Sequence, residues 1–294
     1  MKILVIGGTG TVGGAVVARL AKRGDTVRVL TRSADKAGSL PSGAEAAVGD
    51  LADPKSLAQP MAGVDAVFLL VPVHPDETRL GLNGVEAAKA TKVGRLVYMS
   101  VFGAETAPDV PHFVSKLPVE EAVRSSGLAW TILRPNYFYQ NDEQLAPAIA
   151  QGMYPQPLGE VGVHGIDVGD IADAAVAAMT AQGHEGQTIP LVGLDLLTGP
   201  TVASTYAKHL GREVRYGGDD LTVWAARMAE HGLPDWLVAD LRAMFAHFQR
   251  HGLRATDADH EAVRRALGRE PRRFDDFAAE LAEKIKHGPG PGQG

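Results

Sequence analysis

The chain has 294 residues, a formal net charge of −6 and no cysteine. This acidic balance gives no global attraction to nucleic acid or to an anionic membrane surface. The absence of cysteine excludes disulfides, thiolate metal sites and cysteine nucleophiles, and it is compatible with a reducing compartment. We therefore expect a cytoplasmic globular protein that has no nucleic-acid or membrane partner.

A glycine-rich turn directly after the first apolar run is the strongest motif in the sequence. The run Lys2–Ile6 predicts a strand, and the pattern Ala15–Leu20 predicts a helix. Between them, Gly8, Gly10 and Gly13 match the G-x-G-x-x-G spacing of a dinucleotide-binding turn. Glycine suits such a turn because bare backbone lets a pyrophosphate approach the free N–H groups of the helix N-terminus. The sequence therefore predicts a nucleotide-binding βαβ unit here.

Strand and helix patterns alternate along the first half of the chain, which predicts an α/β fold with a doubly wound parallel sheet. The later predicted strands are Thr26–Leu30, Ala44–Val48, Asp65–Val71, Arg95–Ser100 and Leu128–Leu133. We assign residues 1–135 to a Rossmann dinucleotide-binding core. Residues 136–287 are predicted to return one helix and one strand to that core and to form a smaller, mostly helical substrate lobe. The Gly- and Pro-rich residues 288–294 are predicted to be a flexible tail.

The residues after the second predicted strand indicate which dinucleotide is bound. A site that prefers NAD places an Asp or Glu there, where the carboxylate holds the ribose hydroxyls. This chain has Thr31-Arg32-Ser33 instead. A guanidinium pairs well with a phosphate, so Arg32 favours NADPH, with NADH as the second choice. The alternative is that Arg32 is only a solvated charge at a strand end.

The last third of the chain is predicted to be mostly helical. A set of apolar residues recurs there at i+3 and i+4 spacing: Leu237, Leu241, Met244, Phe245 and Phe248. This helix face belongs either to the core or to the wall of a hydrophobic pocket. His247 and His251 have the i, i+4 spacing of metal ligands, but no further ligand motif accompanies them. We therefore predict a solvated or packed histidine pair and no metal site.

Four further motifs extend the glycine turn into a family resemblance. They are Val97-Tyr98-Met99-Ser100, His112-x-x-x-Lys116, Trp130-Thr131-Ile132-Leu133-Arg134-Pro135 and Asp167-x-x-Asp170-Ile171-Ala172. With the glycine turn, they make nearly the whole chain resemble the NmrA-like group of atypical short-chain dehydrogenases/reductases. That group includes NAD(P)H-dependent reductases of quinones, azo dyes and triphenylmethane dyes, tailoring enzymes of aromatic polyketide pathways, and non-catalytic redox-sensing regulators.

The resemblance implies a set of cofactor contacts. The pyrophosphate would contact Gly7, Thr9, Gly10, Thr11 and Val12. Arg32, with help from Lys36, would hold the 2′-phosphate, and Asp50 and Leu51 would contact the adenine. Val71 and Pro72 would run beside the cofactor. Toward the nicotinamide, the implied residues are Ser100, Lys116, Pro135, Asn136, Tyr137 and Phe138. Lys116 would bond the nicotinamide ribose, and the implied catalytic residues are Lys116, His112 and Ser100.

His112 stands where short-chain dehydrogenases typically carry the tyrosine of a Tyr-x-x-x-Lys motif. On a predicted helix His112–Ser125, His112 and Lys116 share one face. His112 is either a general acid near neutral pH or only a wall of the substrate entrance. The cation of Lys116 disfavours a protonated imidazole.

The missing tyrosine constrains the predicted substrate. Reduction of an ordinary ketone leaves an alkoxide that needs an acid, whereas reduction of a quinone or azo compound leaves a delocalised anion. An apolar pocket walled by Tyr137, Phe138 and Tyr139 suits such flat acceptors. We therefore predict an NADPH-dependent reductase, monomeric or homodimeric, of a quinone-like or other electron-poor aromatic small molecule. It would serve aromatic polyketide or other secondary metabolism, including reduction coupled to oxygenation. The alternative is a non-catalytic, dinucleotide-binding redox regulator.

Overall fold

The computed structural model describes residues 1–33, 40 and 43–288, so Lys36 and residues 289–294 lie outside the described part of the chain. The strands are β1 (Lys2–Ile6), β2 (Thr26–Thr31), β3 (Ala44–Val48), β4 (Ala66–Leu69), β5 (Arg95–Met99), β6 (Ala129–Pro135), β7 (Met153–Tyr154), β8 (Val163–His164), β9 (Gln187–Leu191), β10 (Leu196–Leu197) and β11 (Arg215–Tyr216). The helices are α1 (Thr11–Lys22), α2 (Ala58–Met61), α3 (Glu77–Thr91), α4 (Pro111–Val114), α5 (Leu117–Arg124), α6 (Ala146–Ala150), α7 (Val168–Thr180), α8 (Gly199–Leu210), α9 (Leu221–Glu230), α10 (Asp235–His251), α11 (Asp257–Leu267) and α12 (Phe274–His287). Two 3₁₀ turns, Pro54–Leu57 and Tyr139–Leu145, complete the regular structure of these residues. None of the helices in the described ranges is long and apolar enough to cross a membrane.

Seven of the strands form one parallel sheet in the order β3-β2-β1-β4-β5-β6-β9. The order is doubly wound, because the chain builds outward from β1 to β3 and then returns to place β4 on the other side of β1. The carboxyl ends of β1 and β4 therefore border the crevice where such sheets bind ligands. The strands are apolar because helices cover both faces, and β4 is buried along its whole length. The predicted Rossmann fold is confirmed.

Helices α1 and α7 cover one face of the sheet, and α3 and α5 cover the other. On the first face, Val16 and Leu20 of α1 share a buried cluster with Ile171 of α7. On the second face, Val85 of α3 and Val119 of α5 belong to another buried cluster. One helix of the core, α7, and one strand of the sheet, β9, thus come from beyond residue 135.

The C-terminal helices build a third buried cluster outside the two faces of the sheet. Helices α8, α9, α10 and α12 contribute to it, and its largest fully buried side chains are Tyr139, Tyr154, Tyr206, Phe245 and Phe248. Two short strand pairs, β8 with β10 and β7 with β11, connect the segments between these helices. The smaller, mostly helical part of the predicted fold is therefore present.

The predicted helix His112–Ser125 is instead two helices, α4 and α5. Pro118 explains the break, because proline has no N–H to donate to the carbonyl four residues earlier. The Lys116 N–H bonds the Phe113 carbonyl at 3.3 Å, which is a tighter i to i−3 contact. His112 therefore lies on α4, and Lys116 lies at the junction before α5.

Candidate active site

The turn between β1 and α1 has the geometry that dinucleotide phosphates need. Gly7 has a φ of +82°, a left-handed conformation that favours glycine. Gly10 caps α1 without a side-chain hydrogen bond, and the first turn of α1 carries no acidic residue. The first N–H groups of α1 are thus left for an anionic ligand, which the positive end of the helix dipole also favours.

Two glycines of this turn serve different purposes. A Cβ atom on Gly13 would lie 2.1 Å from the carbonyl oxygen of Gly7, which no side chain tolerates. A Cβ atom on Gly10 would have that same oxygen as its nearest neighbour, at 3.5 Å. Gly13 is therefore required by close packing within the protein, whereas Gly10 borders open space.

A cavity of about 400 Å³ extends from this turn across the carboxyl ends of the strands. Thirteen of the predicted site residues line it: Gly7, Gly10, Thr11, Val12, Val71, Pro72, Ser100, His112, Lys116, Pro135, Asn136, Tyr137 and Phe138. They come from the turn after β1, from the ends of β4, β5 and β6, and from α4 and the junction that follows it. The topology of the sheet is what brings them together.

The other predicted cofactor residues that the structure describes lie outside this cavity. Among the described ones, Thr9 and Arg32 are exposed, Asp50 is half-buried, and Leu51 is buried in the core. Arg32 follows β2, and Asp50 and Leu51 follow β3. Both strands lie on the side of β1 where, in dinucleotide-binding sheets, the residue after the second strand contacts the ribose of the dinucleotide. The roles of these residues, and that of Lys36, stay predictions.

Lys116 forms a buried ion pair with Glu77, the first residue of α3. Its Nζ donates to Oε1 of Glu77, and Ser115 Oγ donates to Oε2 at 3.1 Å. Glu77 is only 1% exposed, and the N-terminus of α3 favours its carboxylate through the helix dipole. The Lys116 ammonium is thus held in a fixed place on the cavity wall, where its other N–H groups can donate to a ligand.

His112 lines the cavity beside a second buried carboxylate, Asp240 of α10. Nδ1 of His112 lies 3.0 Å from Oδ2 of Asp240, and the His112 backbone N–H donates to Oδ1 at 3.2 Å. The geometry of this contact is not that of a hydrogen bond, so the two atoms are close neighbours that form an ion pair only when the ring is protonated. Because Nδ1 faces Asp240, Nε2 is the ring nitrogen that a ligand in the cavity can reach.

Ser100 and Asn136 support the cavity through contacts within the protein. The Ser100 backbone N–H donates to the Leu133 carbonyl at 2.8 Å and extends the pairing of β5 with β6. The Asn136 amide donates to the Leu253 carbonyl at 3.0 Å and accepts the Tyr137 N–H at 2.7 Å. These bonds fix the loop after β6, so the Asn136 amide itself is engaged inside the protein.

One side of the cavity is apolar. Its lining residues come from the loop after β6 and from α10: Tyr137, Phe138, Leu241, Met244 and Phe248. The apolar face of α10 therefore both joins the lobe core and walls the cavity. Tyr139 differs from the expectation, because its ring packs against Phe274 at a centroid distance of 5.2 Å and does not line the cavity.

A buried carboxyl group, Asp142, anchors the segment behind the aromatic wall. It is 2% exposed and accepts hydrogen bonds from the hydroxyls of Tyr154 at 3.2 Å and Tyr206 at 2.9 Å. Burial raises the pKa of Asp142 to about 7, against the opposing effect of the two hydroxyls. The folded protein therefore keeps a proton on Asp142 at acidic pH, where an unfolded chain has released it.

This titration predicts a pH-dependent stability. Between about pH 4 and pH 7, the folded state binds a proton that the unfolded chain lacks, so the wild-type free energy of unfolding falls as pH rises. Asp142→Asn removes the titration, and its stability relative to wild type should rise by on the order of 2–4 kcal/mol over that interval. Urea denaturation of both proteins at the two ends of the interval measures this difference. Parallel pH dependence of the two proteins would contradict the expectation.

Glu77, Asp142 and Asp240 are carboxylic residues in or behind the site that the sequence alone does not single out. Glu77 opens a predicted helix, where a carboxylate is equally expected on a solvated first turn. Asp240 carried a usable signal, because it lies three residues after Leu237 and four before Met244, at core spacing on an apolar face. Burial of a carboxylate at such a position requires a partner, and the sequence does not show which partner it is.

Comparison with known proteins places the chain in a family. Residues 1–278 match the NmrA-like family. The NAD(P)H azoreductase of Xenophilus azovorans is 36% identical over 280 residues, which cover 94% of this chain and 96% of that protein. The (4-alkanoyl-5-oxo-2,5-dihydrofuran-3-yl)methyl phosphate reductase of Streptomyces griseus is 36% identical over 289 residues, covering 96% of this chain and 98% of that protein. The NADPH-dependent quinone oxidoreductase of Escherichia coli, crystallised with NADPH, matches with a TM-score of 0.83 and 25% identity over 95% of this chain and 99% of that one. The chain belongs to the NmrA-like family.

Proposed function

We propose that this protein is an NADPH-dependent reductase that transfers hydride to a quinone-like or other electron-poor aromatic acceptor. The observation that carries the proposal is the cavity that joins the uncapped N-terminus of α1 to the apolar wall from α10. The first end suits a pyrophosphate, and the second suits a flat apolar molecule. The azoreductase and the quinone oxidoreductase among its relatives act, by their names, on acceptors of this kind.

The residues of the site fit a dinucleotide. Gly10 leaves space that a Cβ atom would occupy, and no side chain caps the first turn of α1. NADPH bound there supplies the hydride, and the protein supplies position. Lys116, fixed by Glu77, would hold the nicotinamide ribose, while Tyr137 and Phe138 would close over the ring.

The acceptor would lie against the lobe that we assign to residues 136–287. Leu241, Met244 and Phe248 give that side of the cavity an apolar surface. Such a surface excludes water and orients two flat partners at hydride-transfer distance. The furanone phosphate reductase among the relatives is named for a ring in which a C=C bond is conjugated to a carbonyl. Conjugated carbonyl compounds of secondary metabolism, including aromatic ones that later react with oxygen, are therefore the acceptor class that we favour.

Oxidation of NADPH by the purified protein tests the proposal. Loss of the absorbance of the reduced nicotinamide is followed with a panel of quinones, an azo dye and a triphenylmethane dye. We expect at least one quinone to accelerate the oxidation well above the rate without acceptor. If NADPH binds but no acceptor accelerates its oxidation, the reductase proposal fails and a dinucleotide-binding regulator becomes the better description.

Arg32→Ala should weaken the binding of NADPH but not that of NADH. Arg32 is exposed at the end of β2, where a guanidinium can pair with the 2′-phosphate that only NADPH carries. The variant should lose about 1.5–3 kcal/mol of NADPH binding, the usual worth of a charge-assisted hydrogen bond. Fluorescence titration with both cofactors measures this, and NADH is the internal control. Equal losses for NADPH and NADH would show that Arg32 does not read the 2′-phosphate.

A further inference from the structure

We propose that His112 and Asp240 form a proton-donating pair. In this pair, Asp240 is a positioning residue that holds the His112 ring in place. The proposal rests on the reductase function proposed above and specifies the acceptor. It is a neutral conjugated carbonyl compound, whose reduction by hydride leaves an oxygen anion that must be protonated.

The geometry of the pair supports an oriented donor. Asp240 contacts His112 twice, through the backbone N–H at 3.2 Å and through Nδ1 at 3.0 Å. Both side chains are nearly buried, with 10% of His112 and 8% of Asp240 exposed. The carboxylate therefore holds the backbone of His112 and lies next to one ring nitrogen, which leaves the other nitrogen for a ligand. Helix α10 carries Asp240 and also Leu241 and Met244, which line the cavity. The proton donor and the apolar surface for the hydride acceptor therefore lie next to each other.

The surrounding charges leave His112 as the suitable acid. Within the described ranges, the other titratable side chains that line the cavity are Lys116 and Tyr137. The Lys116 cation would oppose a second positive charge, but the contacting Glu77 carboxylate compensates it. Burial raises the pKa of Tyr137, which makes its phenol a poor proton source near neutral pH. An imidazole is the side chain that exchanges a proton in this range.

The step balances in atoms and electrons. A hydride with its two electrons leaves the reduced nicotinamide and forms a C–H bond with the conjugated acceptor, and the negative charge moves to the carbonyl oxygen. The Nε2–H bond of His112 then breaks as the O–H bond forms, while Nδ1 keeps its proton beside Asp240. Solvent returns a proton to Nε2. In total, NADPH, the acceptor and one proton give NADP⁺ and the reduced acceptor. A cationic triphenylmethane dye needs no such proton, because hydride alone neutralises it.

Asp240→Asn tests the pair, because asparagine keeps the shape and can still accept the His112 backbone N–H. Asp109→Asn is the matched control, since Asp109 pairs at 2.8 Å with His247, which also lies on α10 but does not line this cavity. With the conjugated ketone 2-cyclohexen-1-one as acceptor, whose reduction by hydride leaves a basic enolate, we expect kcat to fall roughly 10²-fold in Asp240→Asn and in His112→Phe, with KM for NADPH unchanged. Asp109→Asn should keep the wild-type kcat.

Ring ¹⁵N NMR of the histidines gives a readout that does not depend on turnover. In the wild type, Nδ1 of His112 should stay protonated across the pH range, because Asp240 selects that tautomer. In Asp240→Asn, the neutral ring should shift toward the Nε2–H tautomer, and in Asp109→Asn it should not.

Several results would overturn the pair. They are unchanged His112 spectra in Asp240→Asn, equal losses of kcat in Asp240→Asn and Asp109→Asn, wild-type reduction of 2-cyclohexen-1-one by His112→Phe, or a wild type that reduces quinones but not this ketone. Failure of the reductase function looks different, because the wild type would then reduce no acceptor at all. The proton-donating role would fall with that function, and the spectra would still show whether Asp240 orients the ring.

Discussion

Gly13→Ala should destabilise the protein strongly, whereas Gly10→Ala should leave it folded but weaken NADPH binding. At Gly13 the new Cβ would lie 2.1 Å from the Gly7 carbonyl oxygen and 2.8 Å from the Gly8 Cα, so backbone must move. We expect a loss of at least about 3 kcal/mol of unfolding free energy, the upper end of typical overpacking costs. The gain in helix propensity from glycine to alanine, about 1 kcal/mol, is too small to offset it.

At Gly10 the same methyl group has no protein atom nearer than 3.5 Å, and the backbone there, with φ −89° and ψ 176°, is open to any residue. Stability should therefore be close to wild type. The methyl group would instead occupy the place of the pyrophosphate, and we expect NADPH affinity to fall at least about tenfold. Urea denaturation and NADPH titration of both variants measure the two effects. Unimpaired NADPH binding by Gly10→Ala would refute the assignment of this turn to the pyrophosphate.

Removal of the Lys116 ammonium should cost both stability and cofactor binding. Lys116→Met leaves the Glu77 carboxylate, 1% exposed, without its cation. Breaking a buried pair in this way typically costs about 3–5 kcal/mol of unfolding free energy. The double variant Lys116→Met/Glu77→Gln removes the stranded charge and should recover most of the stability. NADPH binding should stay weak in both variants, because neither can bond the nicotinamide ribose.

Lys89→Met is the matched control for that experiment. Lys89 pairs with Glu86 at 2.7 Å on the exposed face of α3, so its removal should change stability by no more than about 0.5 kcal/mol. Denaturation curves of the three variants against wild type measure these differences. Full wild-type stability of Lys116→Met would show that Glu77 is not held by Lys116 in solution.

The parts of the site that the sequence could predict are local ones. The turn from Gly7 to Gly13 follows from a strand, a glycine spacing and a helix that are contiguous in the chain, so its geometry follows from short-range rules. The place of the loop at Tyr137 and Phe138 is also predictable, because it directly follows a strand, and strand ends share one edge in a parallel sheet.

The remaining parts depend on contacts between distant segments. Asp240 is separated from His112 by 128 positions, and only the packing of α10 against α4 brings them together. Glu77 reaches Lys116 across 39 positions in the same way. Tyr139 lies one residue after Phe138 in the same loop, yet its ring packs in the core of the lobe and not in the cavity. The sequence of the loop alone does not show this difference. Helical and strand periodicity states which residues share a face, but not which element covers that face.

The position of α7 and β9 late in the sequence, after residue 135, has a consequence for synthesis of the protein on the ribosome. A nascent chain of 135 residues already contains six strands of the sheet, yet β6 still lacks its neighbour β9, and α1 still lacks α7. Arg19 of this nascent chain also lacks its ion-pair partner Asp173, which it contacts at 2.5 Å in the folded protein. An uncovered apolar edge strand is a template for pairing with other chains. We therefore expect the emerging polypeptide to depend on holding chaperones until residue 191 has left the ribosome, well after the nucleotide-binding turn has been made.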